Sequence, residues 1–339
     1  MSVVVQQCDT TPDTEHIDQR HVSQDESPIP VEPRCVSGFD TFAMVEPTRS
    51  LVIDQIRQLV FDLVQGAKFP GPNPCSIERS NVRSFKSQNY WVCDKTDGIR
   101  CLFVCMGHTV TIQDRSVSLK LCLLVTRNWE VHVQKIDICP RVWRQGLVVD
   151  GELVKIDDQW TWLGFDAILV SGIPVWREPL SVRLRCAKLA WTHYRHTPGE
   201  VCLGWKPFYP SVSEYMEATK DQPMVSDGVI LTPEADPVRV GRHRRLFKLK
   251  HNDKHTVDFL VEHGRDLCIY NPATKDHVKV AMLSEPLTHP TRTIAECRFV
   301  DGVWVFVCFR TDKDTANDLL TYNKTLVNAQ ECLTLHDLL

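Results

Sequence analysis

Long apolar runs are missing from this chain. None approaches the roughly 18 residues of a membrane-spanning helix, and the polar N-terminus carries no signal-peptide core. No two of the fourteen cysteines form a C-x-x-C pair, which argues against zinc modules and a disulfide framework. Scattered through apolar segments such as "RCLFVCM" and "KLCLLV", they read as buried free thiols of a reducing compartment. Residues 1–37 contain no aromatic residue and are rich in Asp, Glu, Gln, Pro and Thr. Such a segment buries too little apolar surface to offset its ordering entropy and reads as a disordered acidic tail. Excess positive charge is lacking as well. A net charge of -4 argues against coating nucleic acid by charge alone, while leaving room for a local basic groove.

What is present suits a folded protein with a sizeable core. The 339 residues allow about two domains, and 43% hydrophobic and 24% charged residues are ordinary globular values. Folded sequence is expected from about Phe39. "SLVIDQIRQLVFDLVQG" places Val52, Ile53, Ile56, Leu59, Val60, Leu63 and Val64 at helical spacing, with Gly66 as a stop, and "KFPGPNPCS" then breaks the chain. Short strands follow at 90–94, 99–106, 109–114, 147–155, 160–170, 228–232 and 246–250, with a helix expected over 181–197. After Lys254, "TVDFLVEH", "DLCIYN", "HVKVAML" and "VWVFVCF" read as strands of a small barrel, and "DTANDLLTYNKTLVNAQECL" as a closing helix. Strands and helices do not alternate regularly, which disfavours a doubly wound parallel sheet.

"YWVCDKTDGIRCLFV" interrupts an apolar run with Lys95, a turn at Asp97 and Gly98, and Arg100. By itself K-x-D-G-x-R could be an ordinary hairpin turn. At roughly one in seventeen per position, its chance occurrence in this chain is about half a per cent. Downstream stand, in order, "VVDGELV" (148–154), "WLGFDAILVSG" (162–172), "SDGVILTP" (226–233), "LFKLK" (246–250) and "FRTDKDTAN" (309–317). This series resembles the covalent nucleotidyltransferases, the mRNA capping guanylyltransferases and the ATP- or NAD-dependent polynucleotide ligases. All six family blocks occur in family order.

The resemblance implies an α+β fold: an antiparallel-sheet-rich nucleotidyltransferase domain over 38–254, followed by a C-terminal OB-fold β-barrel domain over 255–317. A helix over 318–339 could pack back on the first domain. It implies that Lys95 attacks the α-phosphate of a nucleotide. An amine does so only when neutral, and a free lysine is neutral in about one molecule in 2,500 at pH 7. Lys248 and Lys250 alternate with Leu249, so both can share one strand face, oppose Lys95 and hold the α-phosphate. Without that context K-L-K would read as a solvated edge strand.

Glu152 and Asp227 match the family's acidic positions, which hold Mg2+ or Mn2+ on the triphosphate. Phe165 matches the aromatic that stacks on the purine. Arg100 and Arg115 match arginines that hold ribose or phosphates, and Lys206 matches a base-contacting lysine. Asp258 also corresponds to a nucleotide-binding position. Arg310 and Lys313 would meet the β- and γ-phosphates when the second domain closes, orienting pyrophosphate as an in-line leaving group.

Thr96, common after the lysine in capping enzymes, and the form of "FRTDKDTAN" favour capping with GTP, as does the lack of a four-cysteine zinc module. The ATP-dependent ligase and a catalytically silent RNA-binding relative are the alternatives. The acceptor implied is 5′-diphosphate RNA. No H-C-x5-R, paired E-x-E or G-x-G signature is present, so a separate RNA triphosphatase and cap methyltransferase are expected as partners. The implied location is the nucleus, or a cytoplasmic replication site for a viral protein, with no membrane association. "VRVGRHRR" (238–245) could steer triphosphate or RNA, or be a solvated loop.

Overall fold

A computed structural model of the chain describes residues 31–36, 39–63, 68–112, 114–136, 140–191, 201–221, 226–288, 292–311 and 313–339. Most of the expected tail, residues 1–30, lies outside these. Its last part does not stay unstructured: Val31–Val36 pairs antiparallel with Phe39–Met44 at the edge of a nine-stranded sheet.

In spatial order that large sheet runs Val31–Val36, Phe39–Met44, Val131–Gln134, Arg115–Thr126, Ile99–Ile112, Leu147–Ile156, Gln159–Val170 and Ile173–Pro174. Cys202–Trp205 lies parallel on Gln159–Val170. Both faces are covered. Cys101, Phe103 and Cys105 face a core with Val149, Trp162 and Ala187 of the helix Leu180–Ala190. Leu102, Val104 and Met106 face Val52, Ile53 and Ile56 of the helix Thr48–Leu59. Burial on both sides explains why "RCLFVCM" is continuously apolar rather than alternating. Trp162 is fully buried beneath Gly151, where a Cβ would come within 2.2 Å of its ring.

Several expected boundaries move. The strands expected at 99–106 and 109–114 are one strand, Ile99–Ile112, because Gly107 stays in register opposite Lys120 instead of turning. The chain reverses only near Asp114, which sits at φ 62. The first helix stops at Leu59, although Val60 still packs into the core, and the expected stop at Gly66 lies outside the described residues. The helix expected over 181–197 spans Leu180–Ala190. "PNPCS", expected as a breaker, is the strand Pro72–Ser76, parallel to Gly241–Lys250 at the edge of a second sheet. An edge is where prolines are tolerated in a sheet.

This second, four-stranded sheet runs Pro72–Ser76, Gly241–Lys250, Gly228–Pro233, Tyr90–Asp94. One face packs Tyr90, Val92, Val229, Leu231, Phe247 and Leu249 against Phe85 and Tyr215. Leu333 and Leu338, from the segment after the helix Leu319–Glu331, join this core. Lys86 Nζ donates to the Leu339 carbonyl at 2.7 Å.

After the turn Asn252–Lys254, five strands form a third sheet in the order Asp276–Met282, Asp266–Asn271, Thr256–Glu262, Thr293–Val300, Val303–Phe309. Thr293–Val300 was not expected. A small barrel was expected; among the described residues the sheet is not closed by a ladder, and one parallel bridge, Leu283 to Trp304, joins its two edge regions.

Candidate active site

The uncovered face of the four-stranded sheet and one end of the large sheet enclose a cleft of about 720 Å3. From the small sheet it is lined by Cys93, Ile230, Thr232, Leu246 and Lys248, which alternate with the core residues of the same strands. From the large sheet come Arg100, Glu152 and Phe165. Lys95 and Thr96 sit in the connection between Tyr90–Asp94 and Ile99–Ile112, where the chain passes from one sheet to the other. The K-x-D-G-x-R segment is therefore a junction between two sheets rather than a tight hairpin within one.

Backbone pairing positions Lys95. Its N–H donates to the Gly228 carbonyl at 2.8 Å, and its carbonyl accepts from Asp227 N–H at 2.9 Å. That exchange brings the side chains together, with Lys95 Nζ 3.0 Å from Asp227 Oδ2. Gly228 permits the approach: at φ +142 it brings the chain so close that a Cβ would lie 2.0 Å from the Leu249 carbonyl oxygen. Asp94, one residue before Lys95, is anchored by the Tyr215 hydroxyl, which donates to it at 2.7 Å. Burial pushes the Asp227 carboxyl up. The Lys95 hydrogen bond and the charges of Lys95, Lys250 and Lys254 outweigh this and hold it below the usual carboxylate range.

Glu152 accepts from Lys206 Nζ at 2.7 Å and from the Thr96 hydroxyl. Arg100 grips Asp150 with two nitrogens and donates to the Pro72 carbonyl at 2.6 Å. Burial opposes the Arg100 charge, and the Asp150 carboxylate more than offsets it, so the guanidinium is held charged. The Phe165 ring lies 5.5 Å from Arg100 Cζ and 5.2 Å from Lys206 Nζ, giving a flat apolar surface flanked by two cations.

Lys248 and Lys250 share a strand face, as their alternation implies. Lys248 lines the cleft. Together they also line a smaller cavity of about 160 Å3 under the C-terminal helix, with Ser76, Thr321 and Thr325. Burial lowers the pKa of both lysines, and repulsion between charges adds to it: Lys250 and Lys95 act on Lys248, and Lys95 acts on Lys250.

The structure thus gathers Lys95, Thr96, Arg100, Glu152, Phe165, Lys206 and Lys248 around one cleft, with Asp227 on Lys95 and Lys250 within electrostatic reach. Four expected residues are not brought there. Arg115 is exposed at the far end of the Ile99–Ile112 hairpin, opposite Ile112. At roughly 3.3 Å per residue, that end is about 40 Å along the strand from Arg100. The other end of its strand delivers Arg127 to the cleft instead, hydrogen-bonded to Asn73. Asp258 and Arg310 pair with each other at 3.0 Å on the third sheet, Arg310 also reaches Glu296 at 3.3 Å, and Lys313 is exposed beyond them.

Sequence reasoning missed Asp150 and Arg127. Asp150 has a signal, since it stands two residues before Glu152 in a strand and must share its general direction. Arg127 has none without the hairpin register.

Among the described residues, no three His, Cys, Asp or Glu side chains gather as a metal-ligand cluster. Glu152 and Asp227 are single carboxylates on either side of the Lys95–Thr96 junction. They fit Mg2+ held in its usual way, through one or two carboxylates plus substrate phosphates, rather than in an all-protein cage.

The family model for the mRNA capping enzyme catalytic domain matches residues 43–252. An mRNA-capping enzyme subunit alpha of Yarrowia lipolytica is 28% identical over 333 residues, covering 80% of this chain and 82% of that protein. One of Schizosaccharomyces pombe is 25% identical, covering 80% and 79%. Among solved structures, an ATP-dependent DNA ligase from bacteriophage T7 in complex with ATP aligns at a TM-score of 0.36, with 10% identity over 71% of this chain and 98% of that one. That score is too low to carry a conclusion. The family match, covering more than half of the chain and every residue of the Lys95 cleft, is decisive: the chain belongs to the mRNA capping enzyme family, with the match to its catalytic domain over residues 43–252.

Proposed function

We propose that this protein is a GTP:RNA guanylyltransferase that works through a covalent lysyl-GMP. The observation that carries the reading is the single cleft in which Lys95 meets Glu152, Lys206, Lys248, Arg100 and Phe165. The guanine would stack on Phe165, and Arg100 and Lys206 would flank base and ribose. Lys248, with Lys250 behind it, would draw the α-phosphate toward Lys95.

Asp227 fixes the direction of the Lys95 side chain. After Nζ gives up a proton to water, an Nζ–P bond forms as the bond from the α-phosphorus to its bridging oxygen breaks, the electron pair leaves with pyrophosphate, and a second Nζ proton passes to water to leave the phosphoamide. In the second step a terminal phosphate oxygen of 5′-diphosphate RNA attacks the same phosphorus, the Nζ–P bond breaks and Lys95 regains a proton. Splitting one transfer into two lets a single cleft serve two substrates in turn. Mg2+ or Mn2+ at Glu152 and Asp227 would supply neutralising charge for the triphosphate.

The third sheet supports reading residues 255–317 as an OB-fold. Its strand order is 3-2-1-4-5 in chain sequence, and the Leu283–Trp304 bridge links the end of strand three to strand five, as in a partly open five-stranded barrel. Arg310 and Lys313 would reach the β- and γ-phosphates when it closes. The diphosphate end must come from an RNA triphosphatase, and the GpppN product suits a cap methyltransferase. The relatives' designation as a subunit supports separate partners, and the reading fits nuclear transcripts or a viral replication site. Among the described residues no helix is long and apolar enough to cross a membrane.

Incubation with α-labelled GTP or ATP and divalent metal, read on the denatured chain, tests this. GTP label on the wild type and none on a Lys95→Ala chain that still unfolds cooperatively is the expected result. ATP label would favour a ligase. A Lys95→Ala chain that still labels would remove Lys95 from its role.

A further inference from the structure

The arginine run 239–245 lies outside the catalytic constellation, and the structure divides it into two kinds of residue. Arg245 is half-exposed but tied down: its guanidinium pairs with buried Asp236 at 2.6 Å. His243 is buried, and its Nδ1 accepts from the backbone N–H groups of Arg245 at 3.2 Å and Leu246 at 3.1 Å. These two act as fasteners. On either side of His243, Arg242 and Arg244 are exposed, as is Arg239. Among the described residues none of these three makes an ion pair with a carboxylate.

Their place relative to the cleft follows from register. Arg242 stands opposite Asn73 in the parallel ladder, so the two side chains share a face. Asn73 belongs to the cleft wall and holds Arg127, another wall residue. Arg242 Nε donates to Cys75 Sγ at 3.1 Å, two residues farther along the same edge strand and on the same side. Arg244 follows in the irregular stretch where the ladder slips between His243 and Phe247, and it is exposed there. Arg100 and Arg127 feel each other's charge inside the cleft. Guanidinium groups therefore stand at Arg100 and Arg127 in the cleft and at Arg242 on the Pro72–Ser76 edge, near enough for its charge to act on Lys248, with Arg244 exposed two residues farther on.

A nucleoside triphosphate does not need cations outside the cleft, where Lys95, Lys206 and Lys248 already stand. Cations that continue outward suit an anion longer than a triphosphate. The chain as a whole is negative, at -4, so such a polyanion would be attracted here and repelled elsewhere. Arginine also suits phosphate, through its planar, bidentate fork.

We infer that Arg242 and Arg244, with Arg239 beside them, form the track that binds the backbone phosphates of the acceptor RNA downstream of its 5′ end, a role that rests on the guanylyltransferase reading above. The track would hold RNA while its terminal phosphate reaches the lysyl-GMP.

The test uses the full chain and a single-stranded oligoribonucleotide of about ten residues with a 5′-diphosphate. Its affinity is measured by fluorescence anisotropy across roughly 50–200 mM salt, for wild type, R242A/R244A and the charge-keeping R242K/R244K. Losing two phosphate contacts should weaken binding about tenfold or more at 0.1 M salt and make the slope of log K against log salt shallower by about 1.4. The lysine pair should keep most of the affinity, GMP labelling of Lys95 should be unchanged, and transfer to RNA should show a raised KM. Unchanged RNA affinity and slope in R242A/R244A would overturn the inference. So would a parallel loss of GTP labelling, which would assign the arginines to the triphosphate. Intact RNA binding with lost binding of an acidic polypeptide would assign them to a protein partner. If the wild type takes no label from GTP, the guanylyltransferase reading fails, while the anisotropy still decides whether this surface binds RNA.

Discussion

Lys248 in the cleft and Arg310 on the third sheet both carry charges that a triphosphate would attract, yet the chain keeps them differently. Among the described residues the Lys248 ammonium makes no ion pair, and burial and the nearby Lys250 and Lys95 weaken its hold on its proton. The Arg310 guanidinium is engaged by two carboxylates, Asp258 at 3.0 Å and Glu296 at 3.3 Å. A cation left open at the cost of repulsion is ready for an anion at once. A cation already satisfied must exchange partners first. The first arrangement suits initial capture of the nucleotide, and the second suits a contact made only when the third sheet moves.

Arg100 complicates that division, because it lies in the cleft but is paired. Its partner Asp150 is 1% exposed, so the pair is structural as well as electrostatic. Removing one member of a buried ion pair leaves the other charge uncompensated. Asp150→Ala should therefore cost about 3–5 kcal/mol of stability, read as a lowered urea midpoint or thermal midpoint. This is the largest effect expected of a cleft residue on folding. If the variant is as stable as wild type, Arg100 is an open cation like Lys248 and the division between regions is wrong.

Asp150 also shows how far the sequence could be read. Its neighbour Glu152 was legible because it belongs to a recognisable block, whereas the Asp150 pair is diagonal: Glu152 stands opposite Arg100, yet the guanidinium reaches Asp150. Arg115 and Arg127 make the same point more sharply. Both lie on or beside the strand Arg115–Thr126, and which of them reaches the cleft is decided only by where the preceding strand turns. Gly107 looked like a turn and proved to be an in-register strand residue. Lys95, Thr96, Phe165, Lys206 and Lys248 were legible because local alternation and block order sufficed. The edge strand Val31–Val36 was not: its partner Phe39–Met44, rather than its own apolar content, gives it structure.

A smaller effect is expected at Lys248, and of opposite sign. Its folded-state pKa lies below the ordinary lysine value, so the unfolded chain binds the proton more tightly and the charge opposes folding. That opposition is complete below the lowered pKa and fades as pH rises toward the ordinary value of about 10.4. Lys248→Met should therefore raise the thermal midpoint at neutral pH, by about 2–4 °C for each kcal/mol relieved, while abolishing GTP labelling. The stabilisation should shrink as pH approaches that of a free lysine. A variant that is destabilised at neutral pH would mean that Lys248 has a binding partner in the fold, and the contrast with Arg310 would vanish.

Glu296→Gln addresses the other side with the smallest change. It removes one charged partner of Arg310 and leaves Asp258 in place. The pair is about a quarter exposed and Asp258 still holds Arg310, so the loss should stay within about 1 kcal/mol and stability should barely move. The charge of Glu296 also favours the protonated form of Lys250, so the substitution loosens two phosphate-seeking cations together. If Arg310 exchanges its carboxylates for phosphate on closing, weakening the competitor should strengthen inhibition by pyrophosphate, about two- to fivefold, through the same modest energy. A purely structural Arg310 would instead give slightly lower stability with unchanged pyrophosphate inhibition. The direction matters more than the size, because deleting a salt bridge ordinarily weakens function. Only a cation held back by its own carboxylates gains affinity when one of them is removed.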